Sequence, residues 1–222
     1  MQASASHSLA LNLIEVIFGH PVDDNPYLRE FRRLEPELRG PRDYVNLVHG
    51  ASRISAHDRR VWCVRRYAFA VPTDAALATL ARHAPIVELG AGTGYWAYLL
   101  RSRGADCVAY DLAPPDHMAN PHRFQPLTWT HVEQGGVEAL AAHRNRALFL
   151  CWPSYREPFA ARALSAYTGD TLLYVGEPAG GHTADDAFFA QLAQDWQCDE
   201  HVALPNWPGT HDALTVYRRR SV

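Results

Sequence analysis

Residues 85–222 alternate between short apolar runs and stretches in which apolar positions recur every three or four residues. The first pattern is typical of buried strands and the second of amphipathic helices, so their alternation predicts βαβ units around a largely parallel sheet. The predicted strands are Ile86–Leu89, 106–110, 127–132, Ala147–Cys151 and 171–175. The predicted helices are 95–103, which ends at Gly104, and segments around 136–143, 157–167 and 184–194, the last opened by a capping box of Thr183 and Asp186.

The two ends of the chain break this alternation. Residues 198–204 and 212–218 are both strand-like and are joined by the short segment 205–211, which predicts an antiparallel hairpin because a parallel crossover needs about a dozen residues or more. The first 84 residues have a helical and irregular pattern, with Pro26, Pro36 and Pro41 as breakers. We expect residues 1–72 to form a helical cap or lid that packs on an α/β domain of residues 73–222.

Composition and charge narrow the class of protein. With 222 residues, of which 47% are hydrophobic and 20% charged, the chain is typical of a globular protein with one sizeable core. Its net charge is −3 and all 21 basic residues are arginine, which counts against a nucleic-acid partner. The longest apolar run near the start, residues 11–18, is far shorter than the roughly 20 residues that a bilayer requires. We therefore expect no membrane partner.

The cysteines and histidines give no metal-ligand pattern. The four cysteines are widely spaced and include no CxxC pair, which favours neither a disulfide framework nor a zinc site. The histidines are scattered, so we predict no bound metal. Reduced cysteines and the lack of a signal-peptide pattern predict a cytoplasmic protein, with a homodimer left open.

One segment carries most of the chemical information: the first predicted strand runs directly into Gly90, Gly92 and Gly94, and a helix follows. Glycine allows positive φ angles and lets a ligand lie against bare backbone. A dinucleotide fingerprint would need a third glycine where Tyr95 stands, and the lysine of a phosphate-binding loop is absent. Asp111 ends the next strand, where a carboxylate can bind both ribose hydroxyls. These features favour a nucleoside without phosphates, and S-adenosylmethionine is such a ligand.

The segment from Glu88 to Gly94, together with Asp111, resembles the first motifs of the class I S-adenosylmethionine-dependent methyltransferases. The resemblance covers about residues 67–222 and implies a three-layer, Rossmann-like α/β fold with a mostly parallel seven-stranded sheet and an antiparallel last strand. It implies that the glycines surround the methionine and ribose portions of the cofactor, that Glu88 orients the loop, and that Asp111 holds the ribose. The residues expected to bind the cofactor are Glu88, Gly90, Ala91, Gly92, Gly94, Asp111, Leu112, Glu133, Cys151, Trp152 and Tyr67.

The methyl acceptor should lie at the carboxyl ends of the strands, where open α/β sheets bind ligands. Residues 151–155 resemble the Asn/Asp-Pro-Pro-Tyr motif of amino-directed methyltransferases, but Trp152 stands at its first position and Ser154 replaces its second proline. The aromatic residues that could wall an acceptor pocket are Trp152, Tyr155 and Trp207, with ordinary packing beneath loops as the alternative. The candidate catalytic residues, among them any base for the acceptor's proton, are Glu177, His182, His211 and Tyr155.

Three functions are compatible with these patterns. The leading hypothesis is methylation of oxygen or nitrogen on a small molecule, such as an aromatic or carboxylate acceptor. The second is methylation of RNA or protein, which residues 152–155 favour and the acidic charge balance opposes. The third is a protein that binds S-adenosylmethionine without transferring its methyl group. Tyr95 argues against an NAD-linked reductase.

Overall fold

A computed structural model describes residues 25–38, 47–49, 52–54, 56–114 and 128–220 of the chain. Its strands are β1 (Leu47–His49), β2 (Ser52–Ile54), β3 (Ile86–Leu89), β4 (Cys107–Asp111), β5 (Glu133–Gln134), β6 (Ala147–Cys151), β7 (Thr171–Gly176), β8 (Trp196–Ala203) and β9 (Ala213–Arg219). Its α-helices are α1 (Pro26–Leu38), α2 (Ala56–Arg66), α3 (Asp74–Arg82), α4 (Tyr95–Ser102), α5 (Phe159–Ala166) and α6 (Asp186–Asp195), and a 3₁₀ helix spans Val137–Ala142.

Strands β3 to β9 form one sheet in the order β5-β4-β3-β6-β7-β9-β8. Strands β3 to β7 are parallel, whereas β9 runs antiparallel to both of its neighbours, β7 and β8. Because chain order reverses at β3, the crevice beside its carboxyl end is a switch point, the usual place for a ligand in such sheets. The strand order and the reversed last strand confirm the fold predicted from the sequence.

Helices cover both faces of the sheet, and each face has its own hydrophobic cluster. One cluster joins α1, α3 and α4 to the sheet and contains Phe31, Leu77, Trp96 and Phe149. The other joins α5 and α6 to the opposite face and contains Leu150, Leu164, Leu172 and Phe188. Strands buried on both faces need apolar residues at every position, which explains the uninterrupted runs of β6 and β7.

The predicted elements and the observed ones nearly coincide over most of the α/β region. β3 and β6 begin and end where the sequence predicts. Helix α4 ends just before Gly104, whose φ of +79° is the left-handed conformation expected of a C-terminal glycine. The terminal segments form the predicted hairpin, in which β8 and β9 pair antiparallel.

The third predicted strand is wrong in position. Within the described part of 127–132 there is no strand, and the edge strand β5 comprises only Glu133–Gln134. Trp129 explains the difference, because its backbone N–H donates to Thr93 O (2.9 Å) and its indole Nε1 donates to Arg66 O (2.6 Å). These bonds tie the segment to the glycine loop and to α2 instead of to the sheet edge.

Two helix predictions also need correction. The segment around 136–143 is a 3₁₀ helix, as is common for short runs. The cap of α6 is Asp185, whose side chain accepts a hydrogen bond from Phe188 N, and not Thr183. The Thr183 hydroxyl instead accepts a hydrogen bond from Glu177 N (3.0 Å), so it fixes the loop that follows β7.

Helix α1 packs against the sheet domain. Tyr27 and Phe31 are buried in the same cluster as β6 and β9, and Asn25 Nδ2 donates to Pro72 O (2.9 Å). Trp207 Nε1, in the loop between β8 and β9, donates to Tyr27 Oη (2.9 Å). The boundary between cap and domain at residue 72 stays a prediction, but this described helix shares its core with the sheet.

Candidate active site

The glycine loop after β3 follows a left-handed backbone path and is hydrogen-bonded to β4. Gly90, Gly92 and Gly94 have φ angles of +74°, +55° and +73°, a region that residues with a Cβ rarely adopt. The N–H groups of Gly90 and Ala91 both donate to Tyr110 O, at 2.8 and 3.0 Å, so the loop is anchored to the end of β4. The sequence therefore places glycine where this turn requires it.

Two of the glycines differ in what surrounds them. A Cβ on Gly94 would lie 2.8 Å from Val132 Cγ2 and 3.1 Å from Thr130 Cγ2, so this position is closed by protein. A Cβ on Gly92 would meet no atom within 4 Å. Gly92 thus presents bare backbone to open space, as a ligand lying against the loop requires, whereas Gly94 is needed for packing.

Asp111 joins the end of β4 to this loop. Its Oδ2 accepts a hydrogen bond from Gly92 N (2.9 Å) and its Oδ1 accepts one from Ala113 N (2.9 Å). The side chain is only partly buried, and a carboxylate has about four lone-pair sites, so each oxygen can accept a further bond. The geometry suits a ligand hydroxyl pair beside Gly92.

Glu88 lies beneath the loop and not in the cleft. Its side chain is 1% exposed and accepts a hydrogen bond from the backbone N–H of Ala97 in the first turn of α4. The residue at the N-terminal cap of α4, Gly94, has no side chain for this purpose, so Glu88 takes the place of a capping side chain. Burial raises the pKa of Glu88 to about 8, although the nearby Arg101 guanidinium lowers it. Among the described residues, nothing bonds to its Oε2. The predicted role of orienting the loop fits this place better than direct contact with a ligand.

The remaining cofactor candidates lie on different sides of the loop. Leu112 is 62% exposed just after β4, and Glu133 is exposed on the neighbouring strand β5, where it pairs with Tyr110. Tyr67 is buried, because its ring stacks on Tyr27 (4.9 Å between centroids) and on Trp129 (5.5 Å). Its carbonyl oxygen accepts a hydrogen bond from the hydroxyl of Thr93 in the glycine loop. The cap segment therefore contacts this loop through its backbone.

Trp152 follows β6 in a strained conformation. Its φ is +51°, which is uncommon for a bulky residue and is concentrated at functional sites. Its ring stacks on Phe69 (5.1 Å, 14° between planes) and lies 5.2 Å from the Arg60 guanidinium. Its Nε1 donates a 2.6 Å hydrogen bond to Asp212 Oδ1. Trp152 is therefore engaged with protein groups, and the half-exposed ring of Phe69 is the one left open to a ligand.

The catalytic candidates gather around one buried carboxylate. Glu177 Oε2 accepts hydrogen bonds from the backbone N–H and from Nδ1 (3.0 Å) of His182, while Oε1 accepts one from His211 N (2.8 Å). The side chain of Glu177 is 1% exposed, whereas those of His182 and His211 are 71% and 81% exposed. Tyr155 lies beside them, with its ring 6.1 Å from that of His182. The four residues thus share one edge of the sheet.

The pKa of Glu177 is set by opposing effects. Burial raises it, but the backbone N–H groups of His182 and His211 and the His182 ring stabilise the anion and bring the pKa below its ordinary value. Glu177 is consequently an ionised clamp between the loop after β7 and the loop before β9. The ring of His182, whose Nδ1 is bonded to Glu177, and the ring of His211 both remain open to solvent.

Asp212 lies in a strand-end segment, residues 207–212, that the sequence predicts to face the methyl acceptor, but it is not among the predicted catalytic residues. It is 3% exposed, and burial together with the nearby Glu177 raises its pKa to about 6, although the Trp152 hydrogen bond lowers it. The available signal was an acid directly before the last strand at the reactive edge of the sheet. Trp207, in contrast, is 1% exposed and bonded to Tyr27, so it packs beneath the loops and does not wall a pocket.

Within the described ranges, no group of three or more His, Cys, Asp or Glu side chains is arranged to hold a metal ion. None of the helices in these same ranges combines the length and hydrophobicity needed to span a bilayer. 

No protein-family model and no curated protein matches the chain. Among solved structures it is similar to a 1,6-didemethyltoxoflavin-N1-methyltransferase of Burkholderia thailandensis with bound 1,6-didemethyltoxoflavin and S-adenosylhomocysteine (20% identity, TM-score 0.47, 75% of this chain and 84% of that one). It is also similar to the magnesium protoporphyrin IX methyltransferase of Synechocystis with bound S-adenosylhomocysteine (10%, 0.46, 89% and 100%). A third is Sp1610 of Streptococcus pneumoniae, a putative tRNA (m1A22) methyltransferase (14%, 0.46, 68% and 72%). These identities and scores are too low to assign a function.

Proposed function

We propose that this chain is an S-adenosylmethionine-dependent methyltransferase that acts on a small molecule. The observation that carries the proposal is the left-handed glycine loop whose Gly92 presents bare backbone and whose N–H is bonded to the Asp111 carboxylate. Such an arrangement suits a nucleoside without phosphates, because the bare backbone allows the ligand to approach closely and the carboxylate can accept hydrogen bonds from two ribose hydroxyls.

The described residues fit this cofactor in three places. Asp111 would accept hydrogen bonds from the ribose, and Gly92 would lie against the ligand. The exposed Leu112, which follows β4, offers an apolar surface for the adenine near the edge strand β5, which carries Glu133. When bound, the cofactor would supply an electrophilic methyl group on a sulfonium.

The acceptor side follows from the same edge of the sheet. Methyl transfer is an in-line displacement, so holding the nucleophile in alignment is the main demand on the protein. The half-exposed rings of Phe69 and Tyr155 offer contact area for an aromatic acceptor, and the exposed rings of His182 and His211 near Glu177 offer polar contacts. This mixture of aromatic and polar groups favours a small acceptor over a nucleic acid.

Calorimetry tests the cofactor directly. We expect micromolar binding of S-adenosylmethionine and S-adenosylhomocysteine and no binding of NAD. Asp111→Ala should lose more than about 1.4 kcal/mol of binding free energy, which is tenfold in affinity. Asp106→Ala is the matched control, since Asp106 is a mostly exposed acid just before the other end of the same strand and should leave affinity unchanged. Equal loss in both variants, or tight NAD binding, would contradict the proposal.

A screen with a radiolabelled methyl donor then identifies the acceptor. Pools of phenols, carboxylic acids and amines are compared with total tRNA and with a protein extract, and the small-molecule pools should take up label. Label in tRNA or protein alone would favour the second hypothesis, and cofactor binding without any labelled product would favour a non-transferring protein.

A cytoplasmic location is proposed on the ground that none of the four cysteines forms a disulfide bond; they are Cys63, Cys107, Cys151 and Cys198.

A further inference from the structure

We propose that Asp212 accepts the proton that the methyl acceptor releases, and that Trp152 is the positioning residue that holds this carboxylate in place. The inference rests on the proposed function and assigns one chemical step to a residue of this chain. It applies to acceptors that lose a proton on methylation, such as phenols and amines.

Asp212 lies at the edge of the sheet where the glycine loop also lies. Cys151 pairs with Val175 across β6 and β7, and Gly176 pairs with Ala213 across β7 and β9. Trp152 follows Cys151 in the chain and Asp212 precedes Ala213, so both residues lie where the carboxyl ends of the parallel strands leave the sheet. β6 is also the strand next to β3, which ends at the glycine loop.

The position of the Asp212 carboxylate is fixed from two sides. Trp152 Nε1 donates to Oδ1 at 2.6 Å, and the Trp152 ring is itself held by Phe69 and Arg60. The side-chain amide of Asn206 fixes the backbone of Asp212, because Asn206 Oδ1 accepts a hydrogen bond from Asp212 N–H and Asn206 Nδ2 donates one to the Asp212 carbonyl oxygen. No described residue donates a hydrogen bond to Oδ2, which leaves that oxygen for the acceptor.

The other candidates at this edge are less suited to the step. Glu177 accepts hydrogen bonds through both of its oxygens, and its lowered pKa makes it a weak base. The rings of His182 and His211 are mostly exposed, so bulk water competes for them. Asp212 is 3% exposed, and its pKa of about 6 leaves it ionised near neutral pH yet more basic than an ordinary aspartate.

The step is balanced without any further reactant. The oxygen or nitrogen of the acceptor forms the bond to the methyl carbon as the carbon–sulfur bond breaks and its electron pair stays on sulfur. The acceptor's proton passes to Asp212 Oδ2, so the carboxylate becomes a neutral acid. Solvent takes this proton after the product has left.

The groups that surround Asp212 determine its pH range. Glu177 raises its pKa, while Arg60 from α2 and the neighbouring His211 lower it. Tyr27, Cys151 and Tyr174 also face it, but burial raises the pKa of each of these groups, so they are neutral at physiological pH. Among the buried groups of this cluster, Asp212 is therefore the one whose charge changes near pH 6.

The first test needs no acceptor. The chain has six tryptophans, and the indole N–H signal of Trp152 in ¹⁵N–¹H spectra can be assigned with Trp152→Phe. With S-adenosylhomocysteine bound, we expect this signal to titrate with a midpoint of about 6 and the titration to disappear in Asp212→Asn. A midpoint at the ordinary value of 3.8, or an unchanged titration in Asp212→Asn, would overturn the assignment.

The second test uses the acceptor found by the radiolabel screen. Asp212→Asn should bind S-adenosylmethionine as wild type does, lose about 10²-fold or more in kcat, and lose the acidic limb of the pH–rate profile. Trp152→Phe removes the hydrogen bond that lowers the pKa of Asp212, so its acidic limb should move to higher pH, which a packing defect would not cause.

The two proposals fail differently. Failure of wild-type protein to bind S-adenosylmethionine contradicts the proposed function. Normal binding with an unchanged kcat and pH profile in Asp212→Asn overturns the role of Asp212 alone. If Asp212→Asn does not fold, Asp212→Glu keeps the charge but moves the carboxylate, and wild-type kcat in that variant would also overturn the assignment.

Discussion

Replacement of Glu88 by glutamine should stabilise the protein at alkaline pH. In the folded chain the pKa of Glu88 is raised to about 8 by burial, against an ordinary value of 4.5. The folded state therefore holds this proton more tightly than the unfolded state, so the free energy of unfolding falls as pH rises from 4.5 and levels off above 8. At 1.36 kcal/mol for each pH unit between the two values, the loss is about 5 kcal/mol.

Glu88→Gln removes this loss because the amide has the same shape, still accepts a hydrogen bond from Ala97 N–H, and never ionises. The difference in free energy of unfolding between the variant and wild type should be near zero at pH 4.5, about 3 kcal/mol at pH 7 and about 5 kcal/mol at pH 8.5. Urea denaturation at these three pH values measures it. Glu157→Gln provides the control, since it makes the same substitution at an exposed position.

A pH-independent difference for Glu88→Gln would refute the reasoning, because it would mean that the folded protein accommodates the charge in this interior. Destabilisation at pH 8.5 would refute it more strongly. In that case the anion, and not the neutral acid, would be the form that the first turn of α4 requires.

The remaining predictions concern the loop, the clamp and the core. Gly94→Ala should lower the free energy of unfolding, measured by urea denaturation, by about 2–3 kcal/mol, because the new Cβ combines a left-handed φ with a steric clash. Gly92→Ala should lower it by about 1–2 kcal/mol, and calorimetry should show that S-adenosylmethionine binds at least tenfold more weakly. Glu177→Ala should lower the free energy of unfolding by about 2 kcal/mol at pH 7, because it leaves the partly buried backbone N–H groups of His182 and His211 without an acceptor. This loss should shrink as pH falls below 4.5, toward the lowered pKa at which the wild-type anion is lost. Trp207→Phe should lower the free energy of unfolding in urea by about 1–2 kcal/mol, because Tyr27 Oη loses its hydrogen-bond donor. The affinity for the cofactor, measured by calorimetry, should be unchanged.

The sheet was predictable because its signals are local. The strand Ala147–Cys151 is a continuous apolar run, as expected of a strand covered on both faces, and Gly104 marks a helix end at which φ is positive. The segment at 127–132 was mispredicted for a long-range reason. Its composition is typical of a strand, but Trp129 forms hydrogen bonds with residues 93 and 66. No periodicity in the sequence indicates those partners.

The site was predictable to a different extent on its two sides. The glycines and Asp111 are close in sequence and their chemistry identifies them, so the cofactor side could be proposed from the chain alone. On the acceptor side, Glu177 and both histidines could be named as candidates from strand order, but their hydrogen bonds could not. The bond between Trp152 and Asp212 spans 60 positions, so it is visible only once the sheet has brought β6 and β9 to one edge.

Two carboxylates at this edge have opposite pKa shifts, and the difference lies in their hydrogen bonds. Glu177 and Asp212 are both almost completely buried, so the penalty of burial raises the pKa of each. Backbone N–H donors on two loops offset this penalty for Glu177, so it stays ionised. Asp212 accepts a hydrogen bond from only one indole donor, and the neighbouring negative charge of Glu177 raises its pKa further. Paired acids whose surroundings separate their pKa values commonly divide structural and proton-transfer roles. The ionised clamp thus raises the basicity of its neighbour, which makes Glu177 an indirect contributor to the proton transfer proposed for Asp212.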